Sequence, residues 1–165
     1  MEIVPGLHCL PGVAQGVNAY VWHPRPAERQ PGEPIVFDCG YPWAGPGLLS
    51  SLAALGCPPS DVRTIAITHD DFDHTGGLAA LHAASGADVL IHELEAPSLA
   101  STQWRRLPRR REVASLALRG VTTTAYSAYP KQPISPTRRL RDGDPLPGGW
   151  VAGHTPGHTP GHAAY

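Results

Sequence analysis

One stretch restricts the folding of this chain more than any other: Thr68-His69-Asp70-Asp71-Phe72-Asp73-His74-Thr75-Gly76-Gly77. From His69 to His74 it sets two imidazoles and three carboxylates side by side. The β-branched run Thr64-Ile65-Ala66-Ile67 precedes it, and the helical Leu78-Ala79-Ala80-Leu81-His82 follows its two glycines. That order predicts a buried strand, a polar loop and a helix. Loops past the carboxyl ends of strands in an α/β sheet are where ligands sit. So many ionisable groups cannot be desolvated together without positive charge to compensate them, and a divalent cation supplies it. His69, Asp71, Asp73 and His74 are all side chains that bind zinc, iron or manganese. In an extended or turning loop His69, Asp71 and Asp73 alternate and can converge. Asp73 and the adjacent His74 then point apart, which suits them to a second metal. A helix-capping role for Asp71 or Asp73 would account for a carboxylate, but not for two histidines.

The rest of the chain reads as one α/β domain, residues 1–165. Ile3-Val4 and Leu7 to Leu10 bracket a Pro-Gly turn as short edge strands. Val17 to Trp22 alternates as a strand, and the proline-bearing residues 23–34 make a hairpin-like connection to a buried strand at Pro34 to Phe37. Leu48, Leu49, Leu52 and Leu55 share one helical face, ended by Gly56 and by Pro58-Pro59. A second helix over 77–85 closes at Gly86, and Asp88 to His92 is again a strand. His92 at its end reads as closing the strand against solvent rather than as a ligand.

Residues 97–138 are an irregular basic insert. Ten of the 13 Lys and Arg residues lie between positions 101 and 141, with Glu112 the only acid there. Nucleic-acid binding would need aromatics among those charges, and only Trp104 answers. The net charge of −1 also argues against it. The residues favour a solvated insert with a helix at Glu112 to Leu118; a lid attracting anionic substrates is the alternative. Cys9, Cys39 and Cys57 are odd in number and form no metal-type pair, so no disulfide is expected. With no signal peptide and no apolar run long enough to span a membrane, a cytoplasmic protein is expected.

A second informative stretch follows a strand expected at Trp150-Val151-Ala152-Gly153. Gly153-His154-Thr155-Pro156-Gly157-His158-Thr159-Pro160-Gly161-His162 spaces histidines four apart, but its two Pro-Gly pairs forbid a helix. The tract is a turn, and by composition alone either a generic metal binder or a structural turn.

Together these motifs resemble the metallo-β-lactamase superfamily. His69-x-Asp71-x-Asp73-His74 before Thr-Gly-Gly is similar to its His-x-His-x-Asp-His metal signature. The departure is Asp71, where most members carry histidine and some, including flavo-diiron proteins, carry a carboxylate. The resemblance implies an αββα sandwich, of which this chain holds the N-terminal half and the start of the second half. It assigns His158 to the first metal with His69 and Asp71, and leaves Asp73 and His74 to a second. Asp38, in Asp38-Cys39-Gly40, matches an aspartate that holds a ligand imidazole or the loop by hydrogen bonds. His154 and His162 match supporting positions.

The resemblance further implies one or two divalent metals, zinc first, with iron or manganese left open by the oxygen-rich Asp71. It implies hydrolysis of an ester, thioester, lactone or related bond in a small molecule by metal-activated water, which Asp73 would orient or deprotonate. The family's bridging Asp and last His have no counterpart before Tyr165. The sequence therefore leads us to expect a truncated product, or a second copy covering an apolar sandwich face left bare. A metal-binding half-domain without activity of its own and a diiron redox relative are the competing readings.

Overall fold

The computed structural model describes residues 1–14, 17–24, 32–104 and 128–165. Seven strands form one sheet in chain order: β1 (Glu2–Val4), β2 (Leu7–Ala14), β3 (Val17–Trp22), β4 (Ile35–Phe37), β5 (Thr64–Ile67), β6 (Asp88–His92) and β7 (Arg138–Leu140). The first four pair antiparallel, whereas β4 through β7 run parallel. Parallel neighbours need crossovers, and the helices supply them. Helix α1 (Gly45–Ala54) lies between β4 and β5, while α2 (Phe72–Thr75) and α3 (Leu78–Ser85) lie between β5 and β6. The short α4 (Ala96–Leu99) follows β6.

Side-chain alternation divides the sheet into two faces. Val36, Ile65, Ile67, Val89 and Ile91 point to the helices and pack with Leu48, Leu52, Leu78 and Leu81. Ile35, Phe37, Ala66 and Leu90 point the other way. All four residues of β5 are buried, as expected of a central parallel strand covered on both sides.

The second face is not bare, which corrects the expectation from sequence. Leu146 and Ala152 pack on it, joined by Trp150 and Tyr165. The Phe37 ring lies 5.0 Å from Trp150 and 5.4 Å from Tyr165, and the Tyr165 hydroxyl donates to the Ile67 carbonyl at 2.8 Å. One strand is displaced from its expected place. The expected strand at 150–153 lies instead at β8 (Gly153–His154), paired with β9 (Ala163–Ala164). Val151 makes only an isolated bridge to Pro145.

Helix ends fall where glycine predicts. Gly56, at φ 75°, donates to the Ala53 carbonyl, and Cys57 donates to Leu52, so two carbonyls of the last turn of α1 are satisfied. The helix begins three residues earlier than the leucine spacing suggests, because Pro46 suits a first turn. The expected helix at 112–118, most of the basic insert and most of the 23–34 connection lie outside the described residues. Among the described residues no helix is long and apolar enough to cross a membrane. Cys9, Cys39 and Cys57 are buried and unpaired with one another.

Candidate metal centre

The site begins where β5 ends. Thr68 donates its backbone N–H to Asp38 Oδ1 at 2.9 Å and its hydroxyl to Asp38 Oδ2 at 2.8 Å. Having spent its one proton, the Thr68 hydroxyl can only accept from His69 Nδ1, 2.9 Å away. That fixes the His69 tautomer: Nδ1 carries the hydrogen and Nε2 keeps its lone pair. His69 is 2% exposed, and its Nε2 has no hydrogen-bond partner among the described residues. A buried imidazole nitrogen with a free lone pair is costly unless something accepts that lone pair.

Two further donors converge on it. Asp71 Oδ2 lies 3.6 Å from His69 Nε2 and 3.0 Å from His158 Nε2. One ligand atom from each of the three residues falls within 4.8 Å of the others. Bonds of about 2.0–2.1 Å in a tetrahedral zinc site would set ligands roughly 3.3 Å apart, so the set fits such a cation with modest adjustment. His158 is the exposed member of the three, so the donor group opens to solvent on that side. Asp71 stands at the N-cap of α2, yet its side chain makes no capping bond. The capping alternative therefore does not account for it. Burial alone would raise the Asp71 carboxyl, but contact with His69, then His158, holds it below its usual range.

Asp73 and His74 do not point apart as expected. Residues 72–75 take the turning form as a single helical turn, and Asp73 Oδ2 lies 3.9 Å from His74 Nε2. Asp38 Oδ2 accepts from His74 Nδ1 at 2.8 Å, which presents Nε2 on the same side. The His69 and His74 rings stand 4.1 Å apart, so a second pair of donors adjoins the first three. Burial lowers the affinity of His74 for a proton, but the hydrogen bond and charge of Asp38, with Asp73 and Asp71, raise it above the usual value. Asp38 thus holds both the loop and an imidazole, the role its match implied, from a φ of 59° that few non-glycine residues adopt. It reaches His74 because the chain after β4 presses on the glycines that follow the motif. A Cβ on Gly76 would stand 2.2 Å from Pro42 N, and one on Gly77 2.4 Å from the Cys39 carbonyl.

The second motif forms the expected turn. Thr155 donates its hydroxyl hydrogen or accepts at 2.8 Å from His162 Nδ1, and the His162 ring lies 4.9 Å from that of His69. Burial and the neighbouring His69 and His158 keep His162 less basic than usual. His154 meets the Pro160 carbonyl at 2.9 Å and stacks on His92 at 4.2 Å. His92 is buried against that ring and stands outside the three-donor set. Burial first, and the neighbouring His154, lower its pKa. An unfolded chain therefore takes up that proton first, as pH falls below about 6.5. Stability linked to His92 is complete above that range and is lost on acidification. His92→Gln is expected to leave zinc content unchanged by elemental analysis and to lessen the fall in melting temperature between about pH 7 and 5. A large loss of zinc would place His92 in the site. Sequence reasoning missed Thr68, whose only signal was a hydroxyl residue immediately before the first histidine.

Known proteins bear on this arrangement. The profile of the Metallo-beta-lactamase superfamily matches residues 15–165. Metallo-beta-lactamase domain-containing protein 1 of Homo sapiens is 42% identical over 58 residues, covering 35% of this chain and 21% of the human protein. Among solved structures, the Cronobacter sakazakii metallo-β-lactamase with the HARLDQ motif superposes with a TM-score of 0.74 at 26% identity. That superposition covers 99% of this chain and 55% of the other. BJP-1, a subclass B3 metallo-β-lactamase of Bradyrhizobium japonicum, shares the fold with a TM-score of 0.74 at 22% identity, over 99% of this chain and 54% of its own. This chain therefore spans about half the length of those structures. With the sheet, the helices and the His/Asp/His group in place, the profile match is decisive: the chain belongs to the metallo-β-lactamase superfamily, a family of metal-dependent hydrolases.

Proposed function

We propose that this chain is a metal-dependent hydrolase that uses metal-activated water on an ester, thioester, lactone or related bond of a small molecule. The observation that carries the reading is the unpartnered Nε2 of buried His69, aimed at Asp71 and His158. His69, Asp71 and His158 would hold one divalent cation, with Asp73 and His74 adjoining as donors to a second. Such a cation would supply Lewis acidity, polarising a scissile carbonyl and bringing the pKa of a water down toward 7. Asp38 and Thr68 keep His69 in the tautomer that can donate, and Asp38 does the same for His74. Asp73, partly exposed beside His74, would orient an attacking water or take its proton.

Zinc is the cation we propose first, with Asp71 as the residue that widens the choice toward iron or manganese. Asp71→His should keep metal binding and shift preference toward zinc when equal zinc, iron and manganese compete; a variant that binds none would contradict the assignment. A cytoplasmic location and association with a second copy belong to the same proposal. The test of function is turnover of a 4-nitrophenyl ester, a thioester, a lactone and a β-lactam by zinc-loaded protein. Hydrolysis of any one that is abolished by chelator supports the reading.

A second reading is a half-domain that binds metal but needs a partner segment to act. Among the described residues, the proposed second cation has only Asp73 and His74 as donors beside the three-donor group, which favours this reading. Metal bound without turnover of any of the four substrates would select it. A diiron redox relative remains the reading suggested by Asp71 alone, and bound iron with no zinc would select that.

A further inference from the structure

Beneath the two ligand loops lies a buried polar group that the proposed chemistry does not use. Glu95, at the start of α4, is fully buried. Its Oε2 accepts the backbone N–H of Asp70 at 3.1 Å, and its Oε1 accepts the backbone N–H of Gly161 at 2.9 Å. Asp70 lies between His69 and Asp71 in the first loop, and Gly161 lies between His158 and His162 in the second. One carboxylate therefore spans both loops. The approach is close enough to require glycine, since a Cβ on Gly161 would meet Glu95 Cγ at 2.7 Å. The Asp70 side chain is anchored in turn. Lys131 Nζ donates to its two oxygens at 2.7 and 2.6 Å and to the Ser98 carbonyl at 2.8 Å. Ser98 and Thr75 donate their hydroxyls to the same carboxylate.

We propose that Glu95 is a positioning residue for the metal centre: it sets the separation of the His69–Asp71 and His158 loops before any cation arrives, with Asp70 and Lys131 bracing the first loop. Outer groups that fix ligand orientation raise metal affinity without touching the ion. The inference rests on the metal-centre reading above.

Glu95→Gln keeps the volume but turns an NH2 group toward one of the two amides. By chelator competition with zinc alone, the variant should bind about 10- to 100-fold more weakly than wild type. Leu52→Ala, a core truncation in α1 outside these hydrogen bonds, should lower the melting temperature yet hold affinity within about twofold. That split separates positioning from general stability. Equal zinc affinity in folded Glu95→Gln would overturn the clamp alone, while absence of zinc binding by wild type would overturn the metal reading and the clamp together. If Glu95→Gln does not fold, amide hydrogen exchange of metal-free wild type decides. Protection of the Asp70 and Gly161 amides comparable to β5 sustains the clamp, and exchange at open-loop rates overturns it.

Discussion

His158→Ala is expected to strip the protein of its zinc, and His69→Ala to do the same. Loss of an outer hydrogen-bonding partner typically costs 10- to 100-fold in metal affinity, so removal of a direct donor should exceed about 100-fold. The two variants should differ in stability. His158 is largely exposed and hydrogen-bonded to Asp71, so its alanine variant should melt close to metal-free wild type. His69 is buried against the rings of His74, His158 and His162, so its truncation also leaves a cavity. Elemental analysis after exhaustive dialysis, with thermal melts by circular dichroism, checks both. Unchanged zinc in His158→Ala would remove the second loop from the centre.

The second large effect is expected at Asp38. Alanine there leaves the Thr68 amide, the Thr68 hydroxyl and His74 Nδ1 without their acceptor. It also places a methyl side chain at a φ of 59°, which aspartate tolerates better than alanine. Partial solvent access at Thr68 and His74 softens the loss, so we expect about 3 kcal/mol of stability from these groups together. That corresponds to a fall in melting temperature of roughly 10 °C for a chain of this size. Asp38→Asn separates scaffold from chemistry. It keeps the shape and one acceptor oxygen, so most stability should survive. An NH2 in place of Oδ2 accepts from neither the Thr68 hydroxyl nor His74 Nδ1, however, so the tautomers of His69 and His74 are no longer imposed. Zinc affinity should then fall about 10- to 100-fold with little change in melting temperature. An Asp38→Ala protein as stable as wild type would show that these hydrogen bonds do not hold the loop.

Much of the scaffold was legible in local pattern. The run at 17–22 is a strand with alternate residues buried, those at 64–67 and 88–92 are short apolar runs buried almost throughout as parallel strands, and Gly56 and Gly86 end helices because both sit at positive φ. The convergence of His69 and His158 came from recognising two motifs together, since neither spacing alone brings distant loops into contact. Their rings are 4.8 Å apart. Tertiary packing governed what was missed. Trp150 seats on Phe37, and the last hairpin begins only at Gly153. The single turn at 72–75 rotates Asp73 toward His74, whereas an extended loop would have separated them. Thr68 reaches across 30 positions to Asp38, and Lys131 across 61 to Asp70. Partnerships of that sequence separation leave no periodic trace.

X-ray absorption at the zinc edge, on wild-type protein loaded with one equivalent, interrogates the central claim most directly. Nitrogen and oxygen neighbours are expected at about 2.0–2.1 Å, with scattering from two imidazoles, those of His69 and His158, beside the Asp71 carboxylate. A sulfur neighbour at about 2.3 Å, or a spectrum lacking imidazole scattering, would contradict it.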